Sequence, residues 1–190
     1  MANKTKYNVQ PIRTIAEIEE IKRDLKRIGD MNGRNSGDRD RFLFTFGINT
    51  GLRISDIVSL KVKDVLNKVY IELIEQKTQK KRMLDLIGIS EEINAYCKGK
   101  SLDDYLFPSR KGSSHISTTQ AYRILTNELL GREDLGTHSM RKTYGYHVYK
   151  ATFDILGLME DFGHATQGIT KKYIGITEEE RRISRKGFKL

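Results

Sequence analysis

The chain reads as a succession of amphipathic segments interrupted once by a stretch of alternating polarity. Thr14 and Glu17 form a T-x-x-E capping box, a pair that satisfies the first free N–H groups of a helix. Ile18, Ile21, Leu25 and Ile28 follow at spacings of 3, 4 and 3, one face of that helix. Residues 29–38, GDMNGRNSGD, carry no apolar period and predict a loop. A second helix starting near Asp38 turns Phe42, Leu43 and Phe46 inward, the glycine turn TGLR at 50–53 ends it, and ISDIVSL at 54–60 predicts a third, short helix.

From residue 69 the period shortens. Val69, Ile71 and Leu73 alternate with Tyr70, Glu72 and Ile74, as in a strand. QKTQKKR at 76–82 is a polar, basic turn and MLDLI at 83–87 a return strand, so the pair predicts a β-hairpin with a cationic tip. Helices then resume. One near 90–98 places Ile93 and Cys97 on one side, and LFPS at 106–109 makes a bend. Ser117 and Gln120 form a second capping box ahead of an apolar stripe of Ala121, Ile124, Leu125 and Leu129. THSMRKTYGYHVYK at 137–150 is helical despite Gly145, and Asp154 caps ILGLMEDF. Thr177 with Glu180 opens a terminal helix rich in Arg and Lys. The expected fold class is mostly α with a small antiparallel β-sheet (α+β).

Length adds a bound: 190 residues suit about one domain. With 37% hydrophobic and 31% charged residues the chain is polar but not of disordered composition. A single cysteine, Cys97, excludes an internal disulfide framework and a Cys-based zinc site. The N-terminal MANKTKYNVQPIRT lacks the apolar core of a signal peptide. No apolar run approaches the ~18 residues that span a bilayer, so a cytoplasmic protein without membrane contact is expected. Charge changes the picture more. Thirty-four Lys and Arg against 25 Asp and Glu give a net +9, which points to a polyanionic partner.

Singly, the candidate residues say little. A Gly-Leu-Arg turn is common, and an H-x-x-R pair such as His138 and Arg141 shares a helix face in many structural helices. The ordered set says more: Arg53 in TGLRISD, Lys77 in KTQKK on the hairpin, His138 and Arg141 in HSMR, His164 in FGH, and Tyr173 in KKYIG nine residues on. In this order the sequence resembles the catalytic domain of the tyrosine recombinases, the phage integrase family, over roughly residues 12–180.

The resemblance implies a tyrosine recombinase catalytic-domain fold and a site-specific recombinase or integrase of a phage or mobile element, acting through a 3′-phosphotyrosine. Arg53 and Arg141 would clamp the scissile phosphate, Lys77 would protonate the leaving 5′ oxygen, and His138 would assist proton transfer. His164 would hydrogen-bond the phosphate, Tyr173 would attack it, and Asp56 would be the acidic support residue. Guanidinium forks suit this chemistry, because each holds non-bridging oxygens bidentately where an ammonium cannot. No cofactor is implied, neither metal nor nucleotide. Lys80 and Lys81 share the hairpin tip with Lys77, and with Arg82 are expected to be solvated or to face a DNA backbone; the K-T-x-K pattern favours Lys77. His147 matches no family position, and Tyr144, Tyr146 and Tyr149 are expected to pack or to line the DNA side.

The expected organisation is a flexible arm at 1–13, a catalytic domain at 14–176, and a C-terminal helix or tail at 177–190 exchanged between protomers. The partner is double-stranded DNA, with a monomer in free solution that self-assembles on DNA as a dimer or tetramer. The short N-terminus suggests either a naturally short recombinase, like the fimbrial phase-variation invertases, or a fragment; the initial Met and the end at FKL favour the former. The alternatives are a DNA-binding accessory protein that keeps the scaffold without recombining, and type IB topoisomerase-like relaxation.

Overall fold

The structure is a computed structural model that describes residues 9–110 and 112–176, with the isolated positions 182, 186, 187 and 189. The helices are α1 (Ile15–Asp30), α2 (Gly37–Thr50), α3 (Ile54–Val58), α4 (Val62–Val65), α5 (Ser90–Cys97), α6 (Thr118–Leu125), α7 (Thr137–Thr152), α8 (Ile155–Phe162) and α9 (Gln167–Tyr173). Strands β1 (Tyr70–Ile74) and β2 (Lys81–Asp85) lie between α4 and α5 and form an antiparallel two-stranded sheet. The fold is thus mostly helical with one small sheet, as the sequence predicts.

Thr14 and Glu17 make the expected capping box, and Ile18, Ile21, Leu25 and Ile28 are buried against α2. Helix α2 is the core of the domain. Phe42, Leu43, Phe44 and Phe46 are all buried, on every side of the helix, because α1 covers one flank and α7 another. Phe42 stacks on Tyr96 at 4.1 Å between centroids, and the Tyr96 hydroxyl donates to the Leu106 carbonyl at 2.8 Å, so the partly buried tyrosine has its polar end satisfied. Each such aromatic side chain contributes about 1.5–3 kcal/mol on burial.

A second, smaller apolar cluster holds α7, α8 and α9 together through Tyr146, Leu158, Phe162, Ile174 and Ile176. Gly145 makes it possible. A Cβ there would lie 2.6 Å from Ile174 Cγ2 and 2.7 Å from the Phe162 ring, so only glycine lets α8 and α9 seat on α7.

Four expectations need correction. Strand β2 begins at Lys81, not Met83, and pairs Leu73 with Arg82 and Ile71 with Leu84. Arg82 therefore shares the inward face with Leu84 and is buried, where a solvated turn residue was expected. Leu129 does not extend the α6 stripe: the helix stops at Leu125, and Leu129 sits 55% exposed in a separate 3₁₀ turn. Residues 9–13, assigned to a flexible arm, are packed. Ile12 is 1% exposed, its N–H donates to Thr143 Oγ1 at 2.9 Å, and Arg13 Nη2 donates to the Gly175 carbonyl at 2.7 Å. Finally, the helix α9 that carries Tyr173 has no counterpart among the predicted elements.

Residues 1–8 and the predicted terminal helix from Thr177 lie outside the described residues, apart from the four isolated positions. Among the described residues no helix is long and apolar enough to cross a membrane.

Candidate active site

Helix α2 ends in a tight left-handed turn at Gly51, φ 59°, where the Tyr144 ring lies so close that a Cβ would collide with it. The turn delivers Arg53 to the N-cap position of α3. Its guanidinium reaches Glu75 Oε2 at 2.5 Å and the Phe162 carbonyl at 3.4 Å.

Helix α7 supplies the next two groups one turn apart. Arg141 is buried, donating to the carbonyls of Gly51 and, at 3.1 Å, Asp161, with its guanidinium 4.5 Å from the centre of the Phe162 ring. Burial, then the charges of Arg82 and Arg53, pull its pKa down to about 10. It remains cationic at neutral pH. His138 opens to solvent along one side. Burial of the rest of the ring, then Arg141, Lys142, Lys77 and Arg53, hold its pKa below the usual imidazole value.

The hairpin contributes Lys77. Arg53, Lys77, His138 and Arg141 line one cleft of about 180 Å³ together with Ser55 and Thr137. Lys81 instead pairs with Glu72 at 2.9 Å on the outer face of the sheet.

Helix α9 ends at Tyr173, whose hydroxyl lies 3.2 Å from His138 Nδ1. Burial raises the phenol pKa, while Arg141 and Arg53 draw it back down. His164 follows the left-handed Gly163 that closes α8; its ring is 5.1 Å from that of Tyr173 and its Nδ1 is 3.1 Å from Thr170 Oγ1. Burial, then Arg141 and Arg53, lowers its pKa. All six predicted side chains therefore converge on one region. A cleft with two guanidiniums, an ammonium and an imidazole, beside a phenol and a second imidazole, can bind an anion and move a proton to or from that phenol.

Sequence reasoning missed three neighbours. Glu75 is a buried carboxylate 2.5 Å from Arg53 and 3.9 Å from both Arg82 and Arg141. Arg82 donates to the carbonyls of Thr50 at 3.0 Å and Gly51 at 3.4 Å, so it fastens the turn ahead of Arg53. Lys142 lies with Nζ 5.4 Å from the Tyr173 ring centre. Of these, Glu75 had a signal: it continues the inward phase of Ile71 and Leu73. Asp56, expected to be the acidic support, accepts from the Gln76 N–H at 2.9 Å, and the carboxylate that meets Arg53 is Glu75. His147 donates from Nε2 to the Ile12 carbonyl at 3.0 Å, a packing contact. Among the described residues no group of three or more His, Cys, Asp or Glu side chains is placed to hold a metal ion.

A helical domain in which an arginine turn, a hairpin lysine and a terminal tyrosine converge beneath one long helix has the catalytic-domain fold of the tyrosine recombinases. The chain belongs to the phage integrase family, whose sequence profile matches residues 17–180. It is 45% identical over 183 residues to the probable integrase/recombinase YoeC of Bacillus subtilis, covering 95% of this chain and 97% of that protein. It is 26% identical over 180 residues to the tyrosine recombinase XerH of Campylobacter jejuni, covering 87% of this chain but only 49% of that relative. The crystal structure of XerA recombinase superposes with a TM-score of 0.68 at 18% identity, covering 97% of this chain and 65% of that one.

Proposed function

We propose that this chain is a site-specific DNA recombinase that cuts and rejoins duplex DNA through a covalent 3′-phosphotyrosine, with Tyr173 as nucleophile. The observation that carries this reading is the placement of the Tyr173 hydroxyl 3.2 Å from His138, beside a cleft lined by Arg53, Lys77 and Arg141.

In this reading the scissile phosphate enters the cleft and is held by Arg53 and Arg141, whose forks stabilise the charge gathering on its non-bridging oxygens; donors of this kind contribute about 3–4 kcal/mol apiece. His138, neutral at pH 7, accepts the phenol proton, and Tyr173 attacks phosphorus. The bond to the 5′ oxygen breaks as Lys77 donates a proton to it. His164 hydrogen-bonds the phosphate through Nε2 while Thr170 fixes its Nδ1. The phosphodiester energy is kept in the phosphotyrosine, so a 5′ hydroxyl of another strand can reverse the attack without a nucleotide cofactor, and the cationic side chains supply the charge a metal would otherwise bring. Duplex DNA is the partner, in keeping with the net charge of +9. We further propose a monomer in solution that assembles on DNA as a dimer or tetramer.

The test uses nicked suicide duplexes tiled across the DNA flanking the gene. Wild-type protein should form a denaturant-resistant adduct on one of them, and Tyr173→Phe should form none while binding within about threefold, since one hydroxyl is all it loses. Strand exchange between two marked duplexes separates recombination from simple relaxation. An adduct that persists in the Phe variant would move the nucleophile elsewhere.

A further inference from the structure

Glu75 is a buried carboxylate against Arg53, one of the side chains that line the cleft, and it belongs to two devices at once. It immediately follows β1, on the stem of the hairpin that carries Lys77. Its Oε2 is 2.5 Å from Arg53 and also accepts the Thr78 hydroxyl at 2.7 Å, one residue beyond Lys77. Its backbone closes the same loop: Glu75 N–H donates to the Lys80 carbonyl at 3.0 Å, and the Glu75 carbonyl accepts from Gln79 at 2.8 Å. Burial pushes the carboxyl pKa up, but the Thr78 and Arg53 hydrogen bonds outweigh it and leave it below the usual value, so the group is an anion at neutral pH.

Asp56 holds the other side of the loop, through the Gln76 N–H. Lys77 thus sits between two anchored residues, and one of the anchors is the counter-ion of the arginine that would grip the phosphate.

Resting on the recombinase reading above, we propose that Glu75 is a positioning residue that ties Lys77 to Arg53, so that the leaving-group acid and the phosphate clamp are set in register by one carboxylate. The carboxylate touches neither DNA nor the reacting atoms. It fixes the loop through Thr78 Oγ1 and the guanidinium through Oε2, and a shift of one is felt by the other. Glutamine keeps the shape and can still accept from Thr78, but it loses the charge that holds Arg53. Aspartate keeps the charge on a shorter stem.

A structural role alone would slow cleavage whatever the leaving group. A role through Lys77 predicts a leaving-group-dependent defect, because a 5′-bridging sulfur departs as a thiolate and needs no proton. The probe is the duplex captured by the wild type, made once with oxygen and once with sulfur at the 5′-bridging position. Glu75→Gln should slow capture of the oxygen duplex about 100-fold, the usual cost of a misplaced catalytic group, with DNA binding within about threefold. The deficit should shrink at least about fivefold with the sulfur duplex, the remainder being the displaced Arg53. Glu75→Asp should recover part of the rate. Thr78→Val, a change in the turn that leaves the arginines untouched, should show a smaller defect on oxygen and none on sulfur, and it decides the matter should Glu75→Gln fail to fold. A rate within threefold of wild type in both variants, or an equal deficit with both leaving groups, would overturn the proposal. Absence of any capture by the wild type would instead sink the recombinase reading and this proposal with it.

Discussion

The Tyr173 hydroxyl and the His138 ring meet at 3.2 Å, oxygen to Nδ1, with the two ring planes 89° apart. The contact joins a phenol whose pKa burial raises to an imidazole whose pKa burial and four nearby cations lower. At pH 7 His138 is therefore neutral and can accept the proton. Protonation silences it only in acid, so the capture rate should hold through neutrality and fall as pH drops through a value below the unperturbed ~6.5. The same shift predicts a stability loss in that window: below about pH 6.5 the unfolded chain takes up a proton that the folded chain resists. Single-turnover capture and thermal melts across pH 4.5–8 check both; an acid limb at or above the unperturbed value contradicts the assignment.

Arg141→Lys tests the clamp. The lysine keeps a charge but cannot donate at once to the Gly51 and Asp161 carbonyls and to a phosphate. Capture should fall at least ~100-fold, with binding much less affected. A loss of tenfold or less, in a variant that melts like wild type, counts against a bidentate role.

The hairpin holds three lysines, and only Lys77 lines the cleft. Lys77→Ala should lose about 100-fold or more on an ordinary phosphodiester and recover on the 5′-thiolate substrate. Lys80→Ala and Lys81→Ala should show neither effect; thiolate rescue seen with Lys80→Ala would reassign the acid.

Gly145→Ala should be far costlier than alanine usually is in a helix. The methyl meets Ile174 and Phe162, the residues beside Tyr173 and just ahead of Gly163-His164. Overpacking of this kind destabilises by about 1–3 kcal/mol, where an unobstructed helical site would gain stability. The variant should melt lower and capture DNA poorly even at temperatures where it is folded. A rise in Tm would show that α8 and α9 do not seat on α7 as described.

Local rules made much of this molecule legible. The Thr14–Glu17 and Ser117–Gln120 boxes lie at helix starts because capping is settled within four residues. The six site residues were legible as an ordered motif, not as chemistry read from any one of them. What stayed hidden depends on partners distant in sequence. Arg82 looked like a solvated turn residue because its acceptors, the carbonyls of Thr50 and Gly51, lie 32 and 31 positions away. The resemblance pointed to Asp56 as the acidic support, and the strand phase that turns Glu75 inward sets that second carboxylate against the Arg53 guanidinium. Leu129 fitted a helical stripe whose helix ends at Leu125.

The segment at residues 9–13 changes what the start of this domain is. It runs along α7 as a strap. The Val9 carbonyl accepts from Lys142 at 2.5 Å, and the Lys142 ammonium lies over the Tyr173 ring. Ile12 is pinned by Thr143 and His147, and Arg13 ends on the carbonyl of Gly175, two residues past Tyr173. Both ends of the strap are thus buckled to the neighbourhood of Tyr173. A chain begun at Thr14 would not merely shed a loose leader; it would leave Lys142 and Gly175 unfastened and slacken the helix that presents the phenol.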